Sequence, residues 1–325
     1  MGGPSYPCGL TFGPVSTEEE PTNRPDPTSP FSLPLAPGLV LWFAIGLALM
    51  LQPATQRLAA MVAEALGAPT LEQAMQPGKL EDGLLAVKLQ LAAVQLFTFG
   101  LLGAFFMGVG QLWRPQPGGL PRRLAYQALL AMGILVLAAP AMNLFMLDEQ
   151  SFSLPEGWKD LEYSLQKAEA RLANLFEQLL GQHPLMNLLV VALVPAVCEE
   201  LFFRGALQRS LQRLLPGHGA VWLTGLLFSL LHFQPYGFVP RLLLGVVLGY
   251  LAWGSGRLLP AMAAHFANNA MVVVGGYLVA QGSLPTQALD PEYQPPLGIA
   301  LGGLAAAAAL GVVYWRLRSV LAPNA

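Results

Sequence analysis

The chain predicts an all-α membrane protein: a polytopic transmembrane helical bundle of about eight spans. Three observations carry this. The chain is 54% hydrophobic and only 11% charged, where soluble domains carry about 25% charged residues. Its mean hydropathy is +0.51. Its apolar residues gather into segments near the ~20 residues that a bilayer helix needs. These lie at roughly 37–52, 85–109, 124–147, 185–207, 219–234, 239–253, 258–281 and 296–317.

Residues 1–36 are rich in Pro, Gly, Ser and Thr, carry Glu18, Glu19 and Glu20, and are expected to be a disordered tail. They lack the basic stretch followed by an apolar core that marks a signal peptide. Residues 37–184 hold three apolar segments and a surface helix. In that helix Leu161, Leu165, Ala168, Leu172, Leu175, Phe176 and Leu179 repeat at helical spacing, which gives one apolar face. Segment 57–75 is a weaker example of the same pattern. Residues 185–282 hold the next four apolar segments, a core region, and 283–325 add a final span and a short tail. Within the core, the short fifth and sixth segments flank Phe233-Gln-Pro-Tyr-Gly-Phe-Val-Pro240. Irregular backbone at membrane depth survives only where it is buried in protein or lines a cavity, so this break is expected beside the site.

Several classes are excluded. A net charge of −2 with no Lys/Arg cluster gives no nucleic-acid partner. Cys8 and Cys198 lie too far apart in sequence and environment for a disulfide framework. Cys198 reads as a small buried hydrophobe, with a metal-ligand role as the lesser reading. There is no H-E-x-x-H. Ser255, in Gly254-Ser255-Gly256, follows a helix without the spacing of a nucleophile elbow. The chain ends without a lipidation box. No internal repeat supports a transporter.

Lys and Arg set the orientation, because short cytoplasmic loops concentrate them. Arg114, Arg122 and Arg123, then Arg204, Arg209 and Arg213, then Arg257, Arg316 and Arg318 fall on the side of the N-terminus. The other side holds fewer, and Lys159, Lys167 and Arg171 there share one long loop. A multi-pass protein of the cell membrane with both termini cytoplasmic follows.

Glu199 and Glu200 sit within Leu185 to Arg204, a run otherwise built for lipid. One charge at the centre of a membrane helix costs roughly 2.5–3.5 kcal/mol. Arg204, four residues after Glu200, shares its helix face and offers a structural ion pair. Glu199 points about 100° away and is left free for chemistry. Later segments bring Phe228-Ser-Leu-Leu-His232 and His265-Phe-Ala-Asn268-Asn269. His218, in Pro216-Gly217-His218-Gly219, is expected to be solvated in a turn. If Pro216-Gly217 is the turn between antiparallel helices, Glu199 and His232 stand at similar heights and meet. Glutamate can act as a general base for water. Histidine holds that water or passes its proton, and asparagine is a neutral donor suited to an oxyanion. The sum is water activation against a peptide carbonyl. The same Glu199, His232 and His265 can instead bind Zn²⁺, which would polarise the water; no cofactor is certain.

These residues resemble a known family. Glu199-Glu200-x-x-x-Arg204, Phe228-x-x-x-His232 and His265-x-x-x-Asn269 are similar to the three motifs of the CPBP intramembrane proteases, which include the CAAX prenyl endopeptidases (type II) and the Abi-like bacterial proteins. The resemblance covers about residues 185–282. It implies Glu199 as the base, His232 as its partner on the water, and His265 with Asn269 on the oxyanion side. Glu200, Arg204 and Phe228 would be supporting residues. It implies a membrane-associated or lipid-modified protein or peptide substrate, with membrane lipid as the surrounding partner. The family is described both as metalloproteases and as glutamate-dependent endopeptidases, and a direct glutamate mechanism is the expectation here. The alternative is a non-proteolytic membrane protein, an immunity or scaffold protein that uses the same cavity for binding.

Overall fold

The structure is a computed structural model. It describes residues 37–65, 84–110, 122–146, 153–289 and 293–319, together with 67, 69, 70, 73 and 112. The expected tail of residues 1–36, Cys8 and much of segment 57–75 lie outside the described residues.

Among the described residues the regular structure is helical throughout. Helix α1 spans Pro37–Ala65 and holds the first apolar segment. It continues through Pro53, so residues 57–65 extend the same helix and do not begin a separate surface element. Proline inside a helix removes one hydrogen bond, a loss that packed membrane helices tolerate. Helix α2 is Leu84–Val109, α3 is Arg122–Asn143, and the expected surface helix α4 is Lys159–Leu180. Helix α5, Pro184–Leu211, carries the glutamates. Helices α6, α7, α8 and α9 span Gly217–Leu230, Phe238–Ser255, Leu259–Ala280 and Leu297–Ser319.

Among the described residues six helices are long and apolar enough to cross a membrane: α2, α3, α5, α7, α8 and α9. Of the eight predicted segments, the first, 37–52 within α1, and the fifth, 219–234, are not among these six. Helix α6 stops at Leu230 after 14 residues, about 21 Å of rise. His232 and Phe233 belong to the turn that follows, where Phe233 takes the left-handed conformation with φ 53°. The chain therefore turns back there, and α6–α7 form a short hairpin that ends at the height of the site.

Packing follows the membrane rule that small residues let helices approach. Gly225 and Gly245 form the crossing of α6 and α7, where a Cβ on Gly245 would stand 2.9 Å from the Gly225 Cα. Gly103 of α2 lies against α5 just past Glu200, where a Cβ would stand 2.6 Å from the Phe202 amide nitrogen. Phe202, Phe203, Ala206 and Leu207 join Phe106 and Met107 in one core cluster, and a second cluster links α3, α7, α8 and α9. The apolar face of α4 buries Leu175 and Leu179 against Leu84 and Val87 of α2.

Candidate active site

Glu199 and Glu200 sit near the middle of α5, and the backbone around them is not a regular α-helix. Leu188–Leu193 and Leu201–Gln208 are π-helical, with an α-helical stretch at Val194–Glu200 between them. Helix α2 has its own π-helical turn, Leu96–Gly100, directly after Gln95. Such widened turns cluster at functional sites because they re-aim side chains that a regular helix would place elsewhere. Pro195 lacks the amide hydrogen that a continuous helix would use.

Both glutamates are buried, Glu199 at 5% and Glu200 at 0% exposure. Glu199 Oε1 accepts a hydrogen bond from Gln95 Nε2 at 3.0 Å. Glu199 Oε2 is buried with no hydrogen-bond partner among the described residues. It lies 3.9 Å from His232 Nε2 and 3.9 Å from His265 Nε2. Helix α5, the turn after α6 and helix α8 thus aim three polar atoms at one small volume.

The other nitrogen of each imidazole is tied down. His232 Nδ1 lies 2.6 Å from the Phe228 carbonyl oxygen. A carbonyl only accepts, so Nδ1 carries the proton, and neutral His232 turns a lone pair on Nε2 towards Glu199. His265 Nδ1 lies 2.9 Å from Glu200 Oε1. The same Oε1 accepts from Arg204 Nη1 at 2.7 Å, and Arg204 Nη2 donates to the Gly245 carbonyl at 2.8 Å. One turn on, Gln208 Nε2 donates to the Gly249 carbonyl at 3.0 Å. Two side chains four residues apart on α5 therefore hold two carbonyls four residues apart on α7, which fixes the relative height of the helices.

Phe228 is the packing centre of the cluster. Its ring centroid lies 4.7 Å from that of His232 and 5.8 Å from that of His265. The Arg204 guanidinium sits over the same ring at 4.7 Å, a cation–π contact that keeps a planar cation favourable away from water. The loop after His232 is held as well: Arg241 donates to the Gln234 carbonyl and to Gln234 Oε1, and Ser229 Oγ donates to the Phe238 carbonyl.

The structure thus gathers Glu199, Glu200, Arg204, Phe228, His232 and His265. Asn269 lies one turn beyond His265 on α8, half-buried, where its Oδ1 accepts from Asn268 Nδ2 at 3.3 Å. His218 is not in a turn. It opens α6, with Nδ1 2.8 Å from the Tyr250 hydroxyl and its ring edge-on to Trp253. Among the described residues no group of three or more His, Cys, Asp or Glu side chains is arranged to hold a metal ion. Glu199 offers Oε2 alone, since Oε1 is taken by Gln95. Cys198 is buried and free, packed towards Gly100.

Gln95 is the residue that reading along the chain passes over. Its only signal is a neutral polar side chain inside the second apolar segment. Gln95 also lines a cavity of about 640 Å³ bounded by α1, α2, α4 and α5.

Residues 181–271 match the family model described as type II CAAX prenyl endopeptidase Rce1-like. This stretch contains all three motifs, and over these residues the match supports the CPBP and CAAX protease family. The match supports a CAAX-type intramembrane endopeptidase, a protease whose substrate is a membrane-associated protein or peptide. No curated protein and no solved structure matches the chain.

Proposed function

We propose that the chain is a glutamate-dependent intramembrane endopeptidase that acts on a membrane-associated or lipid-modified substrate. One observation carries the reading. Buried Glu199 Oε2, without a hydrogen-bond partner among the described residues, stands 3.9 Å from the Nε2 atoms of both His232 and His265. That separation is too long for a direct hydrogen bond and suits groups that share one water.

Glu199 takes a proton from that water while His232 Nε2 accepts its other hydrogen. The hydroxide adds to the scissile carbonyl carbon. The resulting oxyanion is stabilised by His265 and Asn269. His265 can turn an Nε2–H towards the oxyanion while its Nδ1–H is held by Glu200 only as the imidazolium, and Glu200 is the counter-charge at 2.9 Å. The carbon–nitrogen bond then breaks, Glu199 returns its proton to the leaving nitrogen, and an acid and an amine depart. Gln95 holds the carboxylate of Glu199 in place during the exchange.

The deciding experiment is hydrolysis of a membrane-peptide library by purified wild-type protein and by Glu199→Gln. The variant keeps shape and hydrogen bonding but removes the base. Cleavage lost in the variant, with chelator-treated wild type still active, supports the glutamate mechanism. Cleavage lost on chelation and restored by zinc replaces it with metal assistance. Peptide binding unchanged by the substitution, with no cleavage by the wild type, makes the protein a non-proteolytic binding or scaffold protein.

A further inference from the structure

The cavity beside the site has a chemical bias. Among the described residues its lining includes two cations, Arg57 of α1 and Arg171 of α4, and no aspartate or glutamate. Neither arginine has an ion-pair partner among the described residues. Both are exposed, so they stand where the cavity meets solvent. At the other extreme the lining includes Gln95, whose Nε2 holds Glu199 Oε1 and whose Oε1 is buried with no partner among the described residues. Gln90 and Pro195 complete the floor between these groups. A volume near 640 Å³ falls within the range of about 300–1,000 Å³ typical of ligand sites.

We propose that this cavity seats the segment of the peptide substrate on one side of the scissile bond, and that this segment carries a carboxylate held by Arg57 and Arg171. The proposal rests on the endopeptidase reading and deepens it. A peptide that enters here lies against Gln95, whose Nε2 holds Glu199 Oε1. The same residue fixes Glu199, so seating the chain and aligning the base are one event. Arginine suits the far end because its planar fork takes a carboxylate through two parallel hydrogen bonds. Both arginines and Gln95 lie outside residues 181–271, so on this reading substrate choice resides in the N-terminal helices of this chain and not in the matched core.

The test is a set of labelled peptides that share one apolar sequence. One ends in a free carboxylate, one in an amide, and two carry Glu or Gln near the end. Binding to Glu199→Gln in neutral-lipid discs is measured by fluorescence anisotropy, and cleavage is measured with the wild type. The expected result is tighter binding of a carboxylate peptide by about tenfold to a hundredfold over its neutral partner, the range of a charge-assisted bond. In Arg57→Gln/Arg171→Gln that ratio falls to about one, while Lys167→Gln, on the outer face of α4, keeps it. The acid/amide pair against the Glu/Gln pair tells a terminal from a side-chain carboxylate. Equal binding of charged and neutral peptides, or a preference that survives the double substitution, overturns the proposal. So does a cavity that responds only to anionic lipid added to the discs. If the preference appears in binding but no peptide is cleaved, the carboxylate site stands and the endopeptidase reading falls.

Discussion

Glu199 and Glu200 are neighbours with different surroundings, and the difference assigns their work. Glu200 Oε1 is shared by Arg204 and His265, and Arg204 is anchored onward to Gly245. Among the described residues Glu199 has only the neutral amide of Gln95, and its other oxygen stands without a hydrogen-bond partner beside two imidazoles. Glu199→Gln is therefore expected to fold and insert while losing about 10²–10⁴ in rate, the contribution of a general base. Glu200→Gln strands Arg204 as a buried charge, and breaking such a pair costs roughly 3–5 kcal/mol. Its defect should appear first as a lower melting temperature and yield in detergent. Turnover and thermal denaturation of both purified variants decide the matter. A fully stable but inactive Glu200→Gln, or an active Glu199→Gln, would reverse the assignment.

At the scale of helices, the site depends on two glycine crossings. Gly103 lets α2 touch the backbone of α5, which brings Gln95 to Glu199, and Gly225 with Gly245 brings the α7 carbonyls to Arg204. Gly103→Val adds atoms where a Cβ alone would stand 2.6 Å from backbone. Overpacking of this kind costs about 1–3 kcal/mol, and helix separation should also release Glu199. Activity is expected to fall further in Gly103→Val than in Gly133→Ala, where the neighbour is a Leu310 methyl group that can move. The start of α4 gives a pH prediction. Glu162 accepts from the Leu154 amide at 2.8 Å and from Lys159 Nζ at 3.1 Å, and first the amide, then Lys159, hold its carboxyl below the usual range. A depressed carboxyl stabilises above its unfolded pKa and loses that effect as pH falls through the folded value. The turn at Glu156–Trp158 should therefore loosen only below the ordinary carboxylate range. Trp158 fluorescence should follow this loosening and be pH-independent in Glu162→Gln. These contacts also mark the limit of what the sequence discloses. Helix count, the surface helix and the charged cluster are legible because carboxylates and histidines in apolar runs are costly and periodicity is local. Gln95 to Glu199 spans 104 residues and depends on π-helical turns and a glycine crossing, none of which leaves a periodic trace. Helix α6 hides its early end for the same reason: Leu230, Leu231 and Phe233 are apolar whether the backbone continues or turns.

The whole molecule has a direction, and its two ends differ in charge. One end gathers the C-termini of α2, α5, α7 and α9. There Arg209 Nη1 donates to the Leu112 carbonyl, Arg213 Nη1 to the Gly110 carbonyl, and Tyr314 Oη to the Leu251 carbonyl. Trp253 meets Trp315 edge-on at 6.5 Å, an aromatic cluster of the kind that settles at a membrane–water boundary. The opposite end carries α4, where Lys159, Lys167 and Arg171 stand among Asp160, Glu162, Glu169 and Glu177. Because positive charge concentrates on the cytoplasmic side, the end with Arg209 and Arg213 is expected to face the cytoplasm. Helix α9 ends there. Helix α1 begins there too if it runs antiparallel to α2. The α6–α7 hairpin returns to the side it left, so it does not change this parity. The prediction is tested with single cysteines in a background where Cys8 is replaced by serine and buried Cys198 is retained. Tyr163→Cys on α4, at 64% exposure, should react with a membrane-impermeant thiol reagent in intact cells. Leu214→Cys in the turn after α5, at 51% exposure, should react only after permeabilisation, and a reporter fused after Ala325 should read as cytoplasmic. The reverse pattern would place the arginine end outside and invert the protein. It would also put the carboxylate-binding mouth between Arg57 and Arg171, which lies beside α4, on the cytoplasmic face.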